Sequence, residues 1–466
     1  MMPLSRASIA EATGGRVLAG AEGGPFSSVF TDTRDPCPDG LFFALKGPNF
    51  DAHAFIEKAL DAGAAGVVVS DESALPASLT PEHFAICVTD TREALLKVAG
   101  KSRREHRAKV VAITGSVGKT TMKNMVAAAL APFGKVGRTP GNFNNEIGLP
   151  LTLCGMEGDE DFLVLELGMS APGEIGSLTA VAAPDIGLVT GASASHLEFF
   201  KDVDGIADAK AELFDMLGPD TIAVANADDE RILSRARALH QGRLISYGHA
   251  ADASCRVVDV RADADGVSGT IACGDWKGTV DIPALGQHHA LHAAGALAVV
   301  HACGLDLDRA AQGIQDGYRG EKHRMSLLRA QGGVTILDDS YNANPASMGA
   351  ALQTFGELAQ GASRKIAVLG SMLELGEDSP GFHRYCGHLV AQIGFERLFV
   401  VGPYARDVAE GAAQGGVAFI LTADDVAELR DQIEEAAIDG SWILLKGSRG
   451  GRLERILESF SGEGSA

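Results

Sequence analysis

Residues 110–121 read VVAITGSVGKTT. An apolar run enters Gly115-Ser116-Val117-Gly118-Lys119-Thr120-Thr121 and leaves into a helical stretch over 122–130. Glycines let backbone N–H groups turn inward around phosphate oxygens, and a helix N-terminus adds positive potential. In such a loop Lys119 reaches the β- and γ-phosphates and the Thr120 hydroxyl coordinates Mg²⁺. The spacing is GxxGKT, shorter than the full GxxxxGKS/T, so the strand–loop–helix context carries the assignment. Three further residues stand where apolar runs end or beside them. Glu166 closes FLVLE, and a carboxylate inside an apolar strand is costly unless paired or metal-bound. His196 follows IGLVTGASAS, and Lys210 lies in the helical GIADAKAELF. A lone His or Lys means little by itself. Beside a phosphate loop they become a set, because ligands collect at the carboxyl ends of parallel strands. A hard cation asks for a carboxylate, a hydroxyl and phosphate oxygens, and Thr120 with Glu166 supplies the protein's share.

The elements that must hold these groups follow from the apolar pattern. Short runs rich in Val, Ile and Leu occur at 66–70, 110–114, 162–167, 186–190, 221–225, 334–337, 365–369, 397–401 and 442–445. Amphipathic stretches of helix length separate them. Such runs are buried parallel strands, so the fold class is α/β with parallel sheets. The charged stretch KSRREHRAK (101–109) and the stretch GYRGEKHR (317–324) each precede new strand material. They divide the chain into 1–107, 108–318 and 319–466. Residues 255–282 alternate around Trp276 and read as a small β insertion, and the tail from Ser459 reads as unstructured.

The 466 residues carry 40 Lys and Arg against 61 Asp and Glu, a net charge of −21. That balance excludes nucleic acid as the main partner, since phosphate neutralisation needs a basic face. A nucleotide asks only for a local positive site. The 57 glycines, about 12% against an ordinary share of about 7%, are neither periodic nor gathered into a linker. They point to tight turns and to backbone held close to ligands. Seven widely spaced cysteines without a CxxC read as reduced thiols of a cytoplasmic protein. No apolar run reaches the length of a membrane span, and residues 1–15 lack the apolar core of a secretory signal.

Taken in order, these segments resemble the Mur ligase family. The carriers are TDTRDPCPDGLFFALKGPNFDAHAFIEKALDAGAAGVVV (31–69), TGSVGKTT, TPGNFNNEIGLPLT (139–152), LELGMSAPGEI (165–175), SHLEFF (195–200) and IADAKAELF (206–214). In the last third they are DDSYNANPASM (338–348), LGSMLELG (369–376) and LLKGSRG (444–450). The resemblance implies three domains: a UDP-binding domain, a P-loop ATPase and a Rossmann-like domain that closes over ATP and brings in an amine. It implies ATP, two Mg²⁺ ions and an acyl-phosphate route. DSYNANP and MLELG imply the member that adds D-alanyl-D-alanine to a UDP-N-acetylmuramoyl-tripeptide, in peptidoglycan synthesis. The DNPR motif of the diaminopimelate-adding relative is absent.

Residue by residue, the resemblance gives Thr120 and Glu166 to one Mg²⁺ and His196 to a second. It gives Lys210 to the lysine that CO₂ converts to a carbamate, an anion able to serve a metal. Arg324 matches the arginine at the γ-phosphate, and Asp339 the ribose-binding aspartate. Thr33, Arg34 and Lys46 fall in the UDP-binding segment. Asn142, Asn144 and Asn145 fall in the loop near the substrate diphosphate. Asn342, Asn344, Lys446, Ser448 and Arg449 belong to the last motifs, on the substrate side. Where the family shows GxHNxxNAxAA, this chain has Gly286-Gln287-His288-His289-Ala290-Leu291-His292. His292 therefore stands at the adenine position, and a neutral imidazole can stack on a base or bond to it. The cluster of His288, His289, His292 and His301 reads as a helix face, not a zinc site. The expected protein is a cytoplasmic monomer. Two other readings remain: a family member joining a different acid and amine, or a nucleotide-binding regulator without catalysis.

Overall fold

In a computed structural model, residues 4–195, 197–263 and 265–460 are described. Three sheets follow one another along the chain. The first has the order Arg16–Ala19, Phe84–Cys87, Gly66–Val69, Leu41–Phe43, Val29–Phe30, parallel except for its first strand. The central sheet has nine strands. From one edge these are Trp276–Ile282, Val267–Cys273, Cys255–Ala262, Arg243–Gly248, Ile222–Asn226, Ile186–Val189, Lys109–Thr114, Phe162–Glu166 and Val136–Arg138. The third sheet has six, with Ser326–Arg329 antiparallel at its edge and the other five parallel.

Each apolar run of the sequence is one of these strands. Lys109–Thr114 is buried throughout except at Lys109, as expected of a strand covered by helices on both faces. The chain leaves it for the far edge at Val136–Arg138 and returns through Phe162–Glu166. It then passes to the opposite side at Ile186–Val189. The carboxyl end of Lys109–Thr114 is thus the topological switch point of the sheet, where a crevice opens. The 255–282 segment does not stand apart. Its strand Cys255–Ala262 pairs in parallel with Arg243–Gly248 and extends the central sheet.

Two helices bring distant segments to that crevice. Lys119–Leu130 packs along His288–Ala302. The latter is buried nearly all round, because it is pressed between the former and the strands at 243–273. Its N-terminal histidines therefore arrive beside the phosphate loop. Thr91–Glu105 packs against helices Arg6–Thr13, Gly148–Cys154 and Glu174–Ala182, so one apolar core runs from the first sheet into the second.

The charged stretch at 101–109 is a packed junction: Arg103 is buried and donates to the carbonyls of Ala182, Ala183 and His106. Some expectations change. The cysteines are not all free thiols. Cys255 and Cys273 are cross-strand partners joined as a disulfide, because antiparallel register brings together two residues 18 positions apart; the other five are free. Ser459 and Phe460 close a last helix, Leu457–Phe460; the rest of the tail lies outside the described residues. Among the described residues, no helix is long and apolar enough to cross a membrane.

The junction also holds a buried imidazole–carboxylate hydrogen bond. His106 Nε2 lies 2.8 Å from Glu160 Oε2, and Glu160 accepts the backbone N–H groups of Glu157 and Gly158. Burial alone would raise the Glu160 carboxyl; these donors outweigh it and hold it at about 2, against an ordinary 4.5. A carboxyl held low stabilises the fold above its unfolded value, and that contribution drains away as pH falls through the folded one. Glu160→Gln should cost about 2 kcal/mol at pH 7. In urea titrations, the gap between variant and wild type should close as pH drops from 4.5 towards 2.

Candidate active site

Gly118, in the left-handed region at φ +79°, is the N-cap of helix Lys119–Leu130. Gly115 has φ +149°, and a Cβ there would overlap the Thr190 hydroxyl. That hydroxyl donates to Val117 O at 2.7 Å. Ser116 N donates to Gly191 O, its hydroxyl accepts from Ser193 N at 3.0 Å, and Ser195 Oγ donates to it at 3.1 Å. The loop is thereby welded to the exit of strand Ile186–Val189, the stretch that leads to residue 196. Lys119 folds back, its ammonium donating to Gly115 O at 2.8 Å. Burial draws Lys119 below lysine's ordinary value; Glu166 opposes this and Arg324 adds to it.

Glu166 ends its strand with 2% exposure. Its Oε1 accepts from Asn144 at 2.8 Å, and its backbone N–H is held by Thr139 Oγ1. Its Oε2 is buried without a hydrogen-bond donor, 3.3 Å from the Lys123 ammonium. An orphaned carboxylate oxygen lining the same cavity as the Thr120 hydroxyl fits the donor set of a hard cation. Lys210 is buried on helix Val203–Asp215, with no carboxylate beside it among the described residues. Burial, then the charge of Lys119, pull its amine well below the ordinary lysine range, which favours the neutral form. His196 lies outside the described residues.

The C-terminal segment reaches across. His323 and Met325 take φ of +63° and +54°, a conformation non-glycine residues adopt only where the surroundings impose it. His323 is held by Asp338 at 2.7 Å and Met325 N by Asp339. Between them Arg324 donates to Thr120 Oγ1 at 3.2 Å and lies over the Tyr341 ring at 4.1 Å. Lys446 pairs with Asp339 at 2.7 Å and donates to Asn342 O at 2.7 Å. Asn344 caps helix Pro345–Leu358 through Ser347 N, and Asn145 caps Gly148–Cys154. Each Asn therefore spends its side-chain oxygen on the backbone.

These pieces line one cavity of about 670 Å³. It gathers Ser116 to Thr121, Asn142, Asn144, Asn145, Glu166, His292, Arg324, Asp339, Asn342, Asn344 and Lys446. Thr33, Arg34, Lys46, Lys210, Ser448 and Arg449 are not on its wall. Arg34 pairs with Asp32, and Lys46 with Asp51 at 3.3 Å. Ser448 accepts from Leu373 N, and Arg449 pairs with Glu454. Lys123, Thr190, Ser195 and Tyr341 escaped the sequence reading. Ser195 and Tyr341 stand inside the motifs at 195–200 and 338–348, Thr190 ends the apolar run at 186–190, and Lys123 is a cation one turn after Lys119 on the same helix.

Residues 113–300 match the Mur ligase middle domain, and residues 323–449 the glutamate ligase domain of the Mur ligases. The chain is 36% identical over 439 residues to the UDP-N-acetylmuramoyl-tripeptide–D-alanyl-D-alanine ligase of Bacillus subtilis, across 93% of this chain and 92% of that protein. The chain belongs to the Mur ligase family. The Escherichia coli ligase of the same name is 32% identical, covering 94% of each chain. MurF from Acinetobacter baumannii superposes with a TM-score of 0.87, 26% identity and 99% of both chains. MurF from Thermotoga maritima, solved with ADP, gives 0.79 at 27% identity, over 93% of this chain and 96% of that one.

In this Mur ligase His292 touches the phosphate loop directly. Its Nδ1–H donates to His288 O at 3.0 Å, which leaves Nε2 as an acceptor facing Gly118. Burial pushes its ring down to about 3, so it is neutral. A Cβ on Gly118 would collide with that ring. Gly118→Ala should weaken ADP binding about tenfold, since a left-handed non-glycine residue costs about 1–2 kcal/mol. Calorimetric titration checks this, and adding His292→Ala should restore part of the loss.

Proposed function

We propose that this protein joins D-alanyl-D-alanine to UDP-N-acetylmuramoyl-tripeptide with ATP, releasing ADP and phosphate. One observation carries the reading: the phosphate loop, the 139–145 loop and the DSYNANP segment converge on a single cavity, with Arg324 spanning to Thr120. The names of the relatives supply the substrates, and the ADP complex of one supports the nucleotide.

The substrate carboxylate attacks the γ-phosphorus of ATP; the bond to the β-bridging oxygen breaks, leaving an acyl phosphate and ADP. The amine of the dipeptide then attacks the acyl carbon, loses a proton and expels phosphate. Phosphoryl transfer is mostly positioning and charge stabilisation. Lys119 and Arg324 neutralise the charge that builds on the transferring group, and the loop N–H groups hold the phosphates. Thr120 and Glu166 would hold one divalent cation, and His196 with a carbamylated Lys210 a second, which would supply further charge neutralisation. The neutral-leaning amine of Lys210 supports that carbamate, since CO₂ adds only to the free base. Asn142, Asn144, Asn145, Asn342 and Asn344 line the acid and amine side; Asp339 and His292 face the nucleotide. Thr33, Arg34 and Lys46 hold the UDP end outside this cavity, and Ser448 and Arg449 brace the last motif. Closure of 319–466 over 108–318 excludes water that would hydrolyse the acyl phosphate. Residues 1–107 form the UDP-binding domain. The cavity is complete within one chain, which supports a monomer, and we place it in the cytoplasm.

ADP release should require both UDP-N-acetylmuramoyl-tripeptide and D-alanyl-D-alanine, followed by a coupled assay. Turnover without the dipeptide, or none with both substrates, rejects the reading. Lys119→Ala should lower that rate by at least about a hundredfold, the cost of removing one charged transition-state contact. Lys210→Ala should be nearly inactive and regain part of its rate with short carboxylic acids; full activity without them would dismiss the carbamate.

A further inference from the structure

Lys123 has no part in the reaction as described, yet it is 1% exposed. Around it the helix is Met122, Met125, Val126 and alanines, surroundings that penalise an unpaired ammonium. It has two partners. Its ammonium donates to Gly141 O at 3.1 Å, in the 139–145 loop, and stands 3.3 Å from Glu166 Oε2. That oxygen is the one without a hydrogen-bond donor; Oε1 is taken by Asn144. The carboxylate oxygen open to a divalent cation is therefore already faced by a cation of the chain itself.

We propose that Lys123 is the resident cation of the Glu166 site, a positioning residue that competes with the divalent ion for the carboxylate. This rests on the reading that Thr120 and Glu166 hold such an ion. With the metal away, Lys123 compensates a buried carboxylate that would otherwise be uncovered. With the metal present, the ammonium shares the same oxygen and repels the ion. The ion is held firmly only when nucleotide phosphates join it, so metal and nucleotide enter and leave together. Its second bond ties the 139–145 loop to the phosphate-loop helix, which couples the substrate side to the same charge.

Mn²⁺ binding in the presence of ADP, followed by electron paramagnetic resonance, tests this on the full chain. Lys123→Met should bind Mn²⁺ about tenfold more tightly than wild type, an ordinary coupling between adjacent sites. Lys123→Gln keeps a donor for Gly141 and removes only the charge, so it should tighten binding in the same way; Lys123→Arg should stay near wild type. Mn²⁺ with ADP should also raise the melting temperature more in the Met and Gln variants than in wild type. Equal or weaker Mn²⁺ binding in both neutral variants overturns the proposal and leaves Lys123 a purely structural strut. Glu166→Gln separates the two readings: it should weaken Mn²⁺ binding, and if it does not, the metal site itself fails and this inference with it.

Discussion

Burial of positive charge is the constraint on which the rest of this structure depends. The protein carries a net charge of −21, yet Lys123, Lys210 and Lys446 are buried and Lys119 half-buried. An ammonium out of water needs a partner or loses its proton. Lys119 takes a loop carbonyl, Lys123 takes Glu166, and Lys446 takes Asp339. Lys210 has no such carboxylate among the described residues, and its amine is the one drawn far down. The net acidity therefore says little about the ligand, because these cations are kept within.

Holding these charges in register sets the local backbone. Thr190 fills the space that a side chain on Gly115 would claim, and Ser116 ties the loop to the next strand exit. Asn144 and Thr139 clamp Glu166 from the 139–145 loop. On the far side, left-handed residues at 323 and 325 aim Arg324 at Thr120, and Asp338 and Asp339 hold that bend. The polar side chains of the motifs thus do two kinds of work. Asn344 and Asn145 line the cavity and also hold backbone N–H groups at helix starts, while Ser448, off its wall, accepts from Leu373 N.

Much of this was legible in the chain. Parallel strands announce themselves as unbroken Val, Ile and Leu runs because both faces are covered, and each such run is a strand. The phosphate loop reads from its glycines and its Lys-Thr pair because that chemistry is local. Charge at 101–109 does not announce its packing, since Arg103 is buried on three carbonyls that come from distant and local backbone alike. The Cys255–Cys273 pair misled for a related reason: register across a hairpin is not written in cysteine spacing.

By itself the sequence determined the α/β class, the phosphate loop and the order of the family motifs, because these depend on periodicity and on contiguous residues. Only the tertiary structure decided which of the motif residues face the cavity and which brace it. Lys446 lines the cavity and pairs there with Asp339, and nothing in the string LLKGSRG announces that partner. Lys123 and Glu166 lie 43 positions apart in sequence, on a helix and a strand of different βα units. Their 3.3 Å approach exists because neighbouring strands place the helix N-terminus over the strand end. A contact of that kind is a property of packing, and no local pattern encodes it.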